Sequence, residues 1–279
     1  MEQPPTTRPT LIRPILLFLT ILLIFIGFQG VVMALPVDVR LAVIITQLVV
    51  ILGGALAYRR FLARPKTKWP TLRRLGMSPW ALIVVLVTSI SLGFLANILG
   101  ALTVQILPGL APMAEQYQDT VQRLLLPDAL EAQILGALAV AVAAPICEEI
   151  LFRGTILPEQ RRSQAAAGAI VLNGLLFSLM HLNPVALLSL TVVGAYFAHI
   201  TVRSRSIWGA ILGHGMLNLV NGVILIRVAG DMASPEEFGW LEVGVALAVL
   251  LPITALLWWY GVRLIAGHND NNNKQKQHG

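Results

Sequence analysis

The sequence predicts an all-α membrane protein, a bundle of about eight transmembrane helices with both termini on the cytoplasmic side. Three observations carry this expectation. Of 279 residues, 56% are hydrophobic and 12% charged, with a mean hydropathy of +0.76, where soluble domains carry about 25% charged residues. Apolar runs long enough to cross a bilayer core recur along the chain. Lys and Arg collect in alternate connecting segments, as retention on the cytoplasmic side requires. The net charge of +6 has the same origin. No basic stretch is interleaved with aromatic residues, so nucleic acid is not an expected partner. A single cysteine, Cys147, excludes a disulfide framework and a CxxC metal site and reads as a small buried hydrophobe.

Residues 1–13, polar and rich in Pro and Thr, read as a cytoplasmic tail with Arg8 and Arg13. The first apolar run, about Pro14–Leu35, is too long for a signal-peptide core and lacks an A-x-A-like site, so it reads as an uncleaved span. A turn at Pro36–Arg40 leads to span two, about Leu41–Tyr58, and then to the most basic segment, with Arg59, Arg60, Arg64, Lys66, Lys68, Arg73 and Arg74. Span three runs from about Trp80 to Leu107. The connecting segment Pro108–Glu131 carries Glu115, Asp119, Asp128 and Glu131 against Arg123. Span four, about Ala132–Leu157, is followed by Arg161 and Arg162. Span five, about Ala165–Leu182, turns at Asn183–Pro184 into span six, which ends near Thr201. Arg203 and Arg205 precede span seven, about Ser206–Val228. An acidic loop with Asp231, Glu236, Glu237 and Glu242 precedes span eight, about Val243–Ala266. The Asn/Gln/Lys-rich residues 267–279 read as a disordered tail.

This divides the chain into an N-terminal unit (14–131, three spans and the connecting loop), a core of spans four to seven (132–228), and an outer loop with the last span (229–266). Trp69, Trp80, Trp208, Trp240, Trp258, Trp259 and Tyr260 stand near predicted span ends, as interfacial belts do. No internal repeat points to a transporter of the inverted-repeat kind.

The chemistry is expected in Pro145–Gly154, which sets two adjacent carboxylates and an arginine in an apolar run. Each such charge costs about 2.5–3.5 kcal/mol at a helix centre on insertion scales, so each needs a reason. Glu149 and Arg153 are four apart and can pair on one helix face. Glu148 points about 100° away, with Phe152 at its own i+4 position, and is left available. Pro145 is expected to kink the helix and open room for water. The remaining strongly polar groups inside spans are Asn97, Asn173, His181, His199, His214, Asn218 and Asn221. His214 and Asn218 share a face at i, i+4, and Phe177 and His181 do likewise. A carboxylate, two histidines and an amide are the parts needed to activate water and stabilise an oxyanion. His199, beside Arg203, reads as an interfacial packing residue, and Asn97 and Asn221 as ordinary interhelical hydrogen-bonders.

Glu148-Glu149-x-x-x-Arg153-Gly154, Phe177-x-x-x-His181 and His214-x-x-x-Asn218 resemble, in order, the three motifs of the CPBP (Abi) family of intramembrane proteases. That family includes the type II CAAX prenyl endopeptidases and bacteriocin-processing or immunity-associated proteins. The resemblance covers Glu148–Asn218 and implies peptide-bond hydrolysis in the membrane. It makes Glu148 the base that activates water, His181 its assistant, His214 and Asn218 the oxyanion site, and Glu149–Arg153 a structural ion pair. The family is often labelled metalloprotease, and Glu148, His181 and His214 are possible ligands for zinc or another divalent metal. The chain has no His-Glu-x-x-His, and the same residues serve a metal-free mechanism.

A shared site requires His181 within about 6 Å of Glu148. Counting from inner helix ends, however, puts Glu148 and His214 about 12–15 Å deep and His181 deeper. The expected protein is a multi-pass endopeptidase of the bacterial plasma membrane, with its active site toward the cytoplasmic side and a membrane-associated peptide or protein as substrate. A non-proteolytic scaffold or immunity-type peptide-binding protein is the alternative from another class. A proton-coupled transporter using Glu148 and the histidines as a relay is the third.

Overall fold

The computed structural model describes residues 11–63, 70, 74–224 and 239–278, the last eight by backbone alone. Among these residues all regular structure is helical. Hydrocarbon offers the backbone no hydrogen-bond partner, and a helix satisfies its own. In chain order the helices are α1 (Ile12–Met33), α2 (Val39–Leu62), α3 (Pro79–Ile106), α4 (Ala111–Leu125), α5 (Leu130–Gln160), α6 (Ala166–Met180) and α7 (Leu187–Ser204). They are followed by α8 (Trp208–Leu217, widening into a π-helical stretch Asn218–Ile224) and α9 (Trp240–His278).

The eight predicted spans are all present as helices. Six of them (α1, α2, α3, α5, α7 and α9) are long and apolar enough to cross a membrane, while α6 has only 15 residues. Two features differ from the sequence reading. The connecting segment contains a helix, α4, and α9 runs on to His278 through residues read as a disordered tail. Arg64, Lys66, Lys68, Trp69, Arg73, Arg227, Asp231, Glu236, Glu237 and the first ten residues lie outside the described residues.

Local chemistry sets several helix ends. The Asp38 side chain accepts from the Arg40 backbone N–H at 2.8 Å and starts α2. Ser78 caps α3 through the Ala81 N–H at 3.2 Å, with Pro79 in the first turn, where its missing N–H costs nothing. Arg205, in the left-handed region at φ 57°, ends α7.

Alternation of direction gives the bundle two unlike ends. The segments joining α2 to α3, α5 to α6 and α7 to α8 hold the basic runs. The α1–α2 turn, α4 with the adjoining Asp128 and Glu131, and the α8–α9 segment with the adjoining Glu242 hold nine of the fourteen acids. One apolar cluster packs α1, α2, α5 and α6 through Leu17, Phe18, Ile51, Leu151, Phe152 and Phe177. A second joins α3, α7, α8 and α9 through Val85, Leu92, Tyr196, Phe197, Ala210 and Ile265. Helices α6 and α7 cross at Gly174 and Gly194, where a Cβ on Gly174 would stand 2.5 Å from the Thr191 carbonyl oxygen. That backbone contact holds α6 and α7 tightly together.

Helix α4 lies across the acidic end. Its Ala114 packs with Val104 of α3 and Val185 of the α6–α7 turn. Its last carbonyls, on Arg123 and Leu124, accept from the Arg40 guanidinium, which Asp38 holds at 2.9 Å.

Candidate active site

The residues singled out in the sequence form two adjoining layers inside the bundle. In the first, Glu149 and Arg153 are wholly buried and paired at 3.0 Å. The same carboxylate oxygen, Glu149 Oε1, also accepts from His214 Nδ1 at 3.0 Å. Arg153 gives its second terminal nitrogen to the Gly194 carbonyl at 2.8 Å and lies 4.5 Å from the Phe177 ring centroid. His214 stacks on Phe197 at 5.5 Å. A buried charge pair needs further hydrogen bonds, and α7 and α8 supply one each, from the Gly194 carbonyl and His214, while Glu149 Oε2 and Arg153 Nε stay without a protein partner among the described residues.

The second layer is Glu148 with His181. Glu148 is 8% exposed, and its Oε2 stands 4.0 Å from His181 Nε2. The separation of layers follows from the 100° step between adjacent helical residues, as read from the sequence. His181 closes α6, and its Nδ1 is 2.9 Å from the Phe177 carbonyl. A carbonyl only accepts, so Nδ1 carries a proton, and the ring turns Nε2 toward Glu148.

The depth discrepancy resolves in the lengths of the helices. From Gln160, where α5 ends, back to Glu148 is about 18 Å at 1.5 Å per residue. All of α6 spans only about 22 Å. The two side chains therefore meet at one level because α6 stops there.

The third motif lies differently from expectation in one respect. Asn218 donates to the Val140 carbonyl at 2.9 Å. Residues Ala139–Ala143 are π-helical, so the residue due to donate to Val140 is five positions on. That residue is Pro145, which has no N–H. Asn218 replaces the missing donor and keeps one further amide N–H. Pro145 thus acts through a π-widened stretch rather than a simple kink.

Sequence reasoning missed Gln47. Its Nε2 donates to Glu148 Oε1 at 2.9 Å from the first residue of a π-helical stretch in α2. A glutamine in the middle of an otherwise apolar run was the available signal. Tyr117 of α4 was missed as well. It is 54% exposed on α4, and desolvation first and the Glu148 charge second push its pKa up. The bland readings elsewhere agree with the contacts. His199 accepts from Trp258 Nε1 at 3.0 Å, Asn221 bonds the Leu217 carbonyl at 3.2 Å, and Cys147 is buried. Asn173 bridges Phe152 and Gln160.

Of the possible metal ligands, Glu148 and His181 face each other at 4.0 Å, and His214 keeps Nε2 free. His214 directs Nδ1 to Glu149, and among the described residues no three His, Cys, Asp or Glu are grouped to hold an ion.

Six long apolar helices define a multi-pass membrane protein, and an acid and a histidine meet in a buried centre inside it. Residues 130–220 match the family model described as Rce1-like, type II CAAX prenyl endopeptidase, so the resemblance carried by the motifs holds over that region. The "Putative membrane peptidase YdiL" of Bacillus subtilis (strain 168) is 28% identical over 137 residues, 47% of this chain and 55% of that protein. The chain thus spans about half the length of this relative. No solved structure matches it.

Proposed function

We propose that this protein is an intramembrane endopeptidase of the plasma membrane, cleaving a membrane-associated peptide or protein by a glutamate-activated water. The observation that carries the reading is the 4.0 Å approach of His181 Nε2 to Glu148 Oε2, made by two helices that the sequence keeps apart. A carboxylate oxygen and an imidazole lone pair are both acceptors. At this separation they suit a water that donates one O–H to each.

Glu148 takes a proton as the water oxygen bonds to the scissile carbonyl carbon, and returns it to the amine as the C–N bond breaks. Gln47 holds the other Glu148 oxygen and leaves Oε2 for the water. Glu149 holds His214 through Nδ1, which leaves Nε2 as the ring atom that serves the oxyanion when it carries a proton. The remaining amide N–H of Asn218 is the second donor.

Cleavage of a membrane-peptide library by the purified protein, beside Glu148→Gln and with or without a chelator, tests this. The expected outcome is cleavage that survives the chelator and falls by about 10²–10⁴-fold in the variant. Loss with the chelator would point to a metal. A folded wild type that cleaves nothing would move the assignment to a non-proteolytic peptide-binding scaffold. One contact favours that second reading: Asn218 already serves the α5 backbone.

A further inference from the structure

We infer that the Glu148–His181 centre is entered from the acidic, non-cytoplasmic end of the bundle, so that the bond it cleaves is presented on that side of the membrane. The route rests on packing alone; only its use for a peptide bond rests on the proposed peptidase function.

Toward the basic end the way is closed. Every residue from Leu151 to Gln160 is buried. Leu17, Phe18, Ile51, Phe152, Ile156 and Phe177 fill the space between α1, α2, α5 and α6. The fully buried Glu149–Arg153 pair, tied to Gly194 and His214, closes the remainder.

Toward the other end the packing loosens. Ala141, Ala143 and Ala144 of α5 are partly exposed, and Ala144 stands one turn above Glu148 on its face. The His181 side chain is 31% exposed where α6 stops. Above it lies α4, which is not among the helices apolar enough to span.

The side of the membrane follows from charge. Arg59, Arg60, Arg74, Arg161, Arg162, Arg203 and Arg205 mark the closed end. The open end has Arg40, already paired with Asp38, Arg123 among the acids of α4 and its flanks, and in the sequence Arg227 ahead of the acidic Asp231, Glu236 and Glu237. Basic segments stay in the cytoplasm. This reverses the cytoplasmic-side placement expected from counting residues.

The test is cysteine accessibility in intact cells and in inverted membrane vesicles, using a charged, membrane-impermeant maleimide and a Cys147→Ala background. Gln116→Cys and Arg161→Cys, both exposed, report the two faces. Ala144→Cys is expected to label from the Gln116 face and to lose labelling when reagent is confined to the Arg161 face. Ala141→Cys repeats the measurement should Ala144→Cys not fold. Labelling from the Arg161 face overturns the inference. So does silence at both positions while Gln116→Cys labels, and so does Gln116→Cys labelling from the cytoplasm. The result is independent of turnover: correct labelling without cleavage would remove the peptidase and keep the route.

Discussion

Glu148 and Glu149 are neighbours in sequence with opposite employment. Glu149 spends one oxygen on both Arg153 and His214, while Glu148 receives one neutral amide and faces a histidine across 4.0 Å. Removing the first pair leaves an unpaired buried charge. Arg153→Ala is therefore expected to cost about 3–5 kcal/mol, read as loss of folded protein in detergent by thermal unfolding. Gln47→Ala should leave the fold intact. It removes a hydrogen bond to a charged group, worth about 1.5–3 kcal/mol, and so should lower kcat about tenfold or more while KM stays near its original value. A fall in KM-side affinity alone would show that Gln47 touches substrate and does not position Glu148. The pairing of Glu149 with Arg153 was legible in the sequence because i, i+4 geometry is local. Gln47 was not, since it lies 101 residues from Glu148 and only packing joins them.

Among the elements, the π-helical stretches are where the site is made. Gln47 and Asn218 each begin one, and Glu148 sits between two others, Ala139–Ala143 and Phe152–Ile156. Widening the helix frees a carbonyl or turns a side chain out of register, which is how such stretches come to serve functional sites. The proline at 145 and the asparagine at 218 form one device, and a double-mutant cycle tests it. Asn218→Ala should destabilise the protein by about 1–3 kcal/mol through the unsatisfied Val140 carbonyl. The same change in a Pro145→Ala background should cost clearly less, because the restored N–H takes over the acceptor. Equal costs in both backgrounds would sink this account. The short α6 is the other decisive element. A helix of 15 residues reads in sequence as one span among several, yet its end places His181 level with Glu148.

Over the whole molecule, charge and packing are polarised along the same axis. The basic end is dense and apolar beneath the site, and the acidic end carries α4 over a looser region of small residues. That coincidence turns a statement about packing into one about sidedness, since basic segments fix orientation. The accessibility experiment reads both at once. Arg40 shows the same scale at work, because its guanidinium joins the start of α2 to the end of α4 and holds the acidic end together.

The sequence by itself determined the fold class, the eight helical segments, the charge asymmetry, the Glu149–Arg153 pair and the three motifs. These follow from hydropathy, from short-range helix geometry and from a resemblance carried by spacing. Only the tertiary structure decided that Glu148 meets His181, that His214 belongs with Glu149, and that Gln47 completes the carboxylate. Each of these depends on where helices stop and how closely their backbones cross. A contact between distant segments, such as Gly174 against Thr191, leaves no local pattern from which it can be read.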